Sequence, residues 1–278
     1  MTGNQNGGEK MTELNMVEFI QSYIDRAKVA QVEFETWSQE RVDEAVRVIG
    51  KAVYDNAEKL AELAVKETGM GLYGDKILKN QGKPKVVWQK LKGVKSRNII
   101  KYIPEEGLVE IAKPVGVVAA VTPATNPTMT AAQNSMIALK GGNAIIVSPH
   151  PRAKKAGGEV VNYMREALKA VNAPVDLIQI LPEPSNEITQ TLMKMCDINV
   201  AAGGKAIVGA AYSSGKPSYG VGPGNNQCVV DRDVKIEDYI DMVIKGRTYD
   251  NGILCTCEQT LIVPREQLND VTAALADR

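Results

Sequence analysis

Histidine, aromatic side chains and net charge are all scarce in this sequence. Its 278 residues include one histidine, two phenylalanines and two tryptophans, and 33 basic residues balance 33 acidic ones. A formal net charge of zero gives no electrostatic attraction to nucleic acid or to an anionic membrane surface. An aromatic content of 5% leaves few stacking platforms for single strands. No uninterrupted apolar run approaches the roughly 20 residues that span a bilayer. The opening MTGNQNGGEK lacks the apolar stretch of a secretory signal, and residues 1–11 read as a disordered leader with Met11 as an alternative start. Without a signal, the four cysteines Cys196, Cys228, Cys255 and Cys257 are expected as reduced thiols in the cytoplasm. The Cys255-Thr256-Cys257 spacing has no histidine companions, so no metal site is expected.

What the chain does have is pattern. From about Thr12 to Val94, apolar residues recur at three- and four-residue spacing, as in Phe19, Ile20, Tyr23 and Ile24, then Val42, Ala45, Val46, Ile49 and Val53. That period predicts amphipathic helices. Asn98 to Ala112 is strand-like, broken by Pro104-Glu105-Glu106-Gly107, and predicts a hairpin. From Val115 onward short apolar runs, VGVVAAV, NAIIVS, LIQIL, INVAAGG and QCVVD, alternate with helical stretches or turns. Strands this apolar predict an α/β fold with a parallel sheet covered on both faces. Such sheets bind ligands at the carboxyl ends of their strands, so the loops after Val121, Val147 and Val200 are where a site is expected.

In TYDNGILCTCEQTLIV a helix ending near Tyr249 is stopped by Asp250-Asn251-Gly252, and TLIV begins a strand. This puts Cys255 on a turn, where a thiol can be exposed and activated; the bland alternative is a buried cysteine. Cys257 follows by two residues, would point the same way on an extended segment, and is expected to serve packing. Cys196 and Cys228 lie in or beside apolar runs and read as core residues. In TPATNPT, Asn126 stands between a strand and a helix, where its amide and a backbone N–H can hold a developing oxyanion. Gly220, Gly222 and Gly224 permit close backbone approach to a ligand or a neighbouring loop. His150, in SPHPRAKK, reads as a loop or ligand-contact residue rather than a general base.

TPATNPT, SPHPRAKK with YSSGKPSYGVGPGN, and DNGILCTCEQ, in this order and spacing, resemble the CoA-acylating branch of the aldehyde dehydrogenase superfamily from about residue 12 to the end. The resemblance implies N-terminal helices and a Rossmann-like NAD(P)-binding sheet over 12–245. Over 246–278 it implies the start of a second α/β catalytic domain, cut short. It implies Cys255 as the nucleophile and Asn126 as part of the oxyanion hole. It implies NAD or NADP against Thr122 and Pro123, against Ser148, His150, Pro151 and Arg152, and against Gly203, Gly204 and Gly222. Val208 stands where many members have a later glycine, so a loosely held pyrophosphate is expected. Arg152, Lys154 and Lys155 are either a solvated helix start or partners of the 2′-phosphate of NADP or the 3′-phosphate of CoA. Gly220 takes the place of the glutamate base of hydrolytic relatives, with Glu258 as an alternative base on a strand of unassigned face. The implied reaction converts a small aldehyde, CoA and NAD(P)⁺ to acyl-CoA in a homo-oligomer. The alternatives are a hydrolytic dehydrogenase giving a free acid, and a non-catalytic dinucleotide-binding paralogue that pairs with another subunit.

Overall fold

The computed structural model describes residues 12–278, so the expected leader over 1–11 lies outside the described residues. Four helices come first: α1 (Glu13–Glu35), α2 (Gln39–Asp55), α3 (Ala57–Thr68) and α4 (Tyr73–Leu91). Thr12 and Ser38 start α1 and α2, each side chain accepting a hydrogen bond from a first-turn N–H. Ile20, Ile24, Ala27 and Phe34 on α1, and Val42, Val46, Ile49 and Val53 on α2, are buried at helical spacing. The hairpin follows as antiparallel β1 (Asn98–Ile103) and β2 (Leu108–Ala112), turning through Gly107 at φ 66°.

The centre is a parallel sheet of five strands: β3 (Val117–Thr122), β4 (Ala144–Pro149), β5 (Ile178–Ile180), β6 (Ile198–Ala202) and β7 (Ser218–Val221), in the order β5-β4-β3-β6-β7. Every residue of β3 and β4 is buried, which is why both read as unbroken apolar runs instead of alternating ones. Burying one Val or Ile side chain contributes about 1.5–3 kcal/mol. These strands share one continuous core with α1, α2, α5 (Pro127–Lys140) and α6 (Lys154–Ala170). From β3 the chain winds through α5 to β4 and through α6 to β5. It then returns through α7 (Asn186–Met195) to β6 on the other side of β3, and continues through α8 (Lys205–Tyr212) to β7. Winding reverses between β3 and β6, which makes their carboxyl ends the switch point at which sheets of this kind bind ligands.

Past β7, β8 (Asn226–Val229) and β9 (Glu258–Ile262) form a separate two-stranded parallel sheet. They pack with α9 (Ile236–Thr248) and α10 (Leu268–Ala276) around Val230, Tyr239, Ile240 and Val271. QCVVD, read from the sequence as one more strand of the central sheet, therefore belongs to this second sheet. Its burial alternates along the strand, with Gln227 and Val229 exposed, unlike the fully buried β3 and β4. Among the described residues no helix is long and apolar enough to cross a membrane.

Candidate active site

Strand register aligns the expected ligand contacts. Thr122 pairs with Pro149, Val121 with Ala201, and Ala202 with Val221. The carboxyl ends of β4, β3, β6 and β7 are therefore level, with Pro123, His150, Pro151, Gly203, Gly204 and Gly222 in the loops that leave them. Gly204 is the N-cap of α8 and supplies no side-chain cap, so the first N–H groups of that helix are open to an anion. A Cβ on Gly204 or Gly222 would meet nothing within 4 Å, so both border open space, whereas a Cβ on Gly203 would lie 2.5 Å from Ile207 Cγ2. An uncapped helix N-terminus beside open glycines at a topological switch point fits a dinucleotide pyrophosphate.

Other expected contacts fare differently. Ser148 is fully buried and its hydroxyl shares a 2.7 Å hydrogen bond with that of Thr189, so its side chain is not presented to a ligand. Sequence reasoning saw the strand end but not the helix packed over it. The Thr122 hydroxyl is also buried, without a hydrogen-bond partner among the described residues. Arg152 is exposed, and its guanidinium donates to the Thr68 carbonyl at 3.2 Å. Its backbone N–H donates to His150 Nδ1 at 3.1 Å. Burial and the neighbouring Arg152 hold the His150 pKa below its ordinary value, which keeps that imidazole neutral at pH 7. Lys154 pairs with Glu183 at 2.5 Å, and the Glu67 carboxylate accepts from the backbone N–H groups of Lys155 and Ala156 at 2.8 and 2.7 Å.

The second half of the site is built around a reversal of the chain. After α9, Asp250, Asn251 and Gly252 are successively left-handed, with φ of 51°, 58° and 67°. Asp, Asn and Gly tolerate that region best, and the three together turn the chain toward Cys255. The Asp250 carboxylate is completely buried. It accepts from the Leu72 N–H at 2.8 Å, from Lys76 Nζ at 2.9 Å and from Lys79 Nζ, while the Asp250 N–H donates to Asp75 at 2.7 Å. Gly71, at φ 79°, lies so close that a Cβ there would overlap the Asp250 carboxylate. Lys76 Nζ also donates to the Thr125 carbonyl at 2.8 Å, and Lys79 Nζ donates to Asn126 Oδ1 at 2.7 Å. Two buried lysines of α4 thus join the turn before Cys255 to the loop that carries Asn126. Burial pushes the Asp250 pKa up, but the hydrogen bonds from Lys76, Lys79 and Leu72 outweigh it and leave a carboxylate held below its usual range. Burial, and then the charge of Lys76, lowers the Lys79 pKa, with Asp250 opposing.

Cys255 is exposed, whereas Cys257 is 1% exposed with its Sγ 3.7 Å from the Tyr249 carbonyl. The expectation that both thiols point the same way is overturned: the segment is a turn, in which the Cys257 N–H donates to the Leu254 carbonyl at 3.1 Å. Cys257 has the packing position expected of it. Cys196 is fully buried and its thiol is pushed up to about 12, chiefly by burial, so it is inert. Cys228 is half-buried against the second core. Asn226 Nδ2 donates to the Cys255 carbonyl at 2.7 Å and the Cys257 carbonyl at 3.2 Å. The Glu258 carboxylate lies against Gly246 of α9, where even a methyl group would overlap it.

Lys76, Lys79 and Asn226 were not found from the sequence. A signal existed for the lysines, since Lys76, Lys79, Asn80, Pro84 and Val87 follow the three- to four-residue spacing of a buried helical face. Nothing comparable marks Asn226.

The fold is that of a nucleotide-binding α/β protein whose central sheet is joined to a second α/β unit carrying an exposed thiol. More particularly, the chain belongs to the aldehyde dehydrogenase family, whose sequence pattern matches residues 11–278. It is 49% identical over 258 residues to the acetylating succinate-semialdehyde dehydrogenase of Clostridium kluyveri, covering 93% of this chain and 57% of that protein. The crystal structure of an acetylating aldehyde dehydrogenase from Geobacillus thermoglucosidasius superposes with a TM-score of 0.91 at 39% identity, covering 95% of this chain and 59% of that one. A Rhodopseudomonas palustris propionaldehyde dehydrogenase, solved with bound CoA and an acylated cysteine, superposes with a TM-score of 0.84 at 32% identity, covering 93% and 59%. The chain spans a little over half the length of these relatives.

Proposed function

We propose that this chain supplies the dinucleotide site, the nucleophile and the oxyanion donor of a CoA-acylating aldehyde dehydrogenase. The overall reaction is aldehyde, CoA and NAD(P)⁺ giving acyl-CoA, NAD(P)H and a proton. One observation carries it: the exposed Cys255 follows a turn that Asp250 and Lys79 tie to the Asn126 amide. The Cys255 thiolate adds to the aldehyde carbonyl, and Asn126 Nδ2 donates to the oxygen as it gains charge. Bound at the α8 N-terminus and Gly203, Gly204 and Gly222, the dinucleotide supplies a hydride acceptor. Loss of hydride from the carbon leaves a thioester on Cys255, which the CoA thiol attacks, freeing the Cys255 thiolate. Similarity to relatives described as acetylating, and to one with CoA beside an acylated cysteine, supports thiolysis as the last step.

The division of the chain follows the same reading. The packing of β8 and α9 with β9 and α10 supports a boundary in the Gly222–Asn225 segment, ahead of the division at 246 read from the sequence. A cytoplasmic homo-oligomer fits a family enzyme whose hairpin exposes Tyr102, Leu108, Val109 and Ile111. The test is to offer a panel of small aldehydes with NAD⁺ or NADP⁺, with and without CoA, and identify products by mass spectrometry. Acyl-CoA formed only with CoA is expected; free acid at equal rates in both arms would overturn the acylating reading.

A further inference from the structure

The geometry points to Lys79 as a positioning residue that presents the Asn126 amide to the reacting carbonyl and locks it to the turn of the nucleophile. The inference rests on the proposed roles of Cys255 and Asn126. An asparagine side chain can turn either its oxygen or its nitrogen toward a substrate, and only the nitrogen stabilises an oxyanion. Lys79 Nζ has donors and no acceptor, and it stands 2.7 Å from Asn126 Oδ1, which fixes the choice. Among the described residues Asn126 Nδ2 makes one long contact, 3.4 Å to the Thr125 hydroxyl, and keeps an N–H for a ligand. Accepting a bond from an ammonium group also polarises the amide, so its N–H becomes a stronger donor.

The same Nζ binds the Asp250 carboxylate and lies 5.7 Å from the Tyr249 ring centroid, so both neighbours of the lysine belong to the turn that leads to Cys255. Lys79 and Asn126 are both less than a tenth exposed, so the arrangement is shielded from water. Lys76 and Lys79 are matched by Asp250 and by the half-buried Asp75, so what Lys79 adds at the amide is the direct bond from its own ammonium group. A lysine kept only to neutralise Asp250 would not need a second bond to Asn126, and Lys76 already pairs with that carboxylate.

The experiment uses an activated ester, p-nitrophenyl acetate, on the protein at its natural length. The Cys255 thiolate adds to the ester carbonyl through an oxyanion, the C–O bond to p-nitrophenolate breaks, and the acetyl group stays on sulfur. Neither dinucleotide nor CoA is needed. Iodoacetamide, which alkylates the same thiol without forming an oxyanion, is the control. Asn126→Ala should slow the p-nitrophenolate burst about 10²–10³-fold. Lys79→Met should slow it about tenfold or more, as expected of groups that share a partner. The double variant should be no slower than Asn126→Ala alone, and alkylation should stay within about threefold of wild type. Thermal melts identify the variants that fold. Should Lys79→Met not fold, Lys79→Gln, which keeps an N–H donor, should acylate faster than Asn126→Ala. Additive losses in the double variant, a wild-type burst in Lys79→Met, or equal slowing of alkylation and acylation would overturn the inference. So would a Gln variant as slow as Asn126→Ala. An Asn126→Ala variant with a normal burst overturns the oxyanion role as well, whereas a wild-type protein that gives the burst but no acyl-CoA from any aldehyde overturns only the aldehyde reading.

Discussion

The side-chain amide of Asn226 donates to the backbone carbonyl of Cys255 at 2.7 Å, clasping the proposed nucleophile's turn to the first strand of the second sheet. The same nitrogen reaches the Cys257 carbonyl at 3.2 Å, so one side chain holds both ends of the Cys255–Cys257 segment. The glycine two residues earlier is part of the fit, since a Cβ on Gly224 would lie 2.9 Å from the Cys255 carbonyl oxygen. Of the two roles open to Gly224, the structure shows approach to a neighbouring loop.

Removing the clasp has a predictable cost. Asn226→Ala loses two hydrogen bonds of about 0.5–1.5 kcal/mol each, reduced further where water replaces them. A modest fall in melting temperature and a slower acylation of Cys255 are expected, with dinucleotide affinity unchanged because Asn226 lies on the second sheet. Melting curves, ester bursts and dinucleotide titration check the three parts. Weakened dinucleotide binding with a normal burst would contradict the assignment.

The two neighbouring cysteines should separate cleanly. Cys255→Ser removes the exposed thiol and should abolish acylation while the fold and dinucleotide binding persist. Cys257→Ser puts a hydroxyl at a site that is 1% exposed and should lower stability by about 1–3 kcal/mol while acylation continues. Peptide mapping after brief iodoacetamide treatment should find the label on Cys255 and not on Cys196 or Cys257. An inactive Cys257→Ser with an active Cys255→Ser would reverse the assignment.

Much of this was legible in the sequence, for physical reasons. The helical period of α1 and α2 and the valine-rich β3 and β4 report burial directly, because a face packed on a core must be apolar. The turn at Asp250-Asn251-Gly252 was legible as a helix stop. The role of Asp250 as the buried anion between two lysines was not, since its partners lie more than 170 residues away. Ser148 misled because a strand end looks the same whether its side chain meets a ligand or Thr189 on α7. QCVVD misled because apolar content does not state which sheet a strand joins.

Asp250 also sets an acid limit. Its pKa is lowered in the folded state, so its contribution is present above the unfolded value of about 3.9 and is lost as pH falls through the folded value. Asp250→Asn leaves Lys76 and Lys79 buried without their anion, and should cost about 3–5 kcal/mol near neutral pH. As pH falls below the unfolded value the unfolded chain takes up a proton that folded Asp250 does not yet accept, so the gap between the two proteins should narrow until Asp250 itself protonates at lower pH. Denaturant melts of both proteins at a series of pH values measure that gap. A difference that stays constant down to the acid limit would mean that Asp250 is not the titrating anion.

In the proposed reaction, the absence of a side chain at Gly220 leaves the acyl-enzyme to a thiol. Hydrolysis needs a base to take the proton from water, and such help is typically worth about 10²–10⁴-fold. Gly220 has no side chain, and a Cβ built on it would lie 2.6 Å from Val208 Cγ1 and 2.9 Å from Tyr212 Cε2. A carboxylate could be restored there only by displacing the Val208 and Tyr212 side chains of α8. Glu258 is a poor substitute, because its carboxylate is packed against Gly246 on α9. A thiol needs less help: with a pKa near about 8.5 it is a few per cent thiolate at pH 7 and strongly nucleophilic. Without CoA, an aldehyde and dinucleotide should give one burst of reduced cofactor, about one equivalent per Cys255, and then stall. Adding CoA should restart turnover, and mass spectrometry of the stalled protein should find the acyl group on Cys255. Gly220→Ala should lose about 1–3 kcal/mol of stability to overpacking, without any gain in hydrolysis. Steady turnover to free acid in the absence of CoA would show that water resolves the thioester, and that a base lies elsewhere.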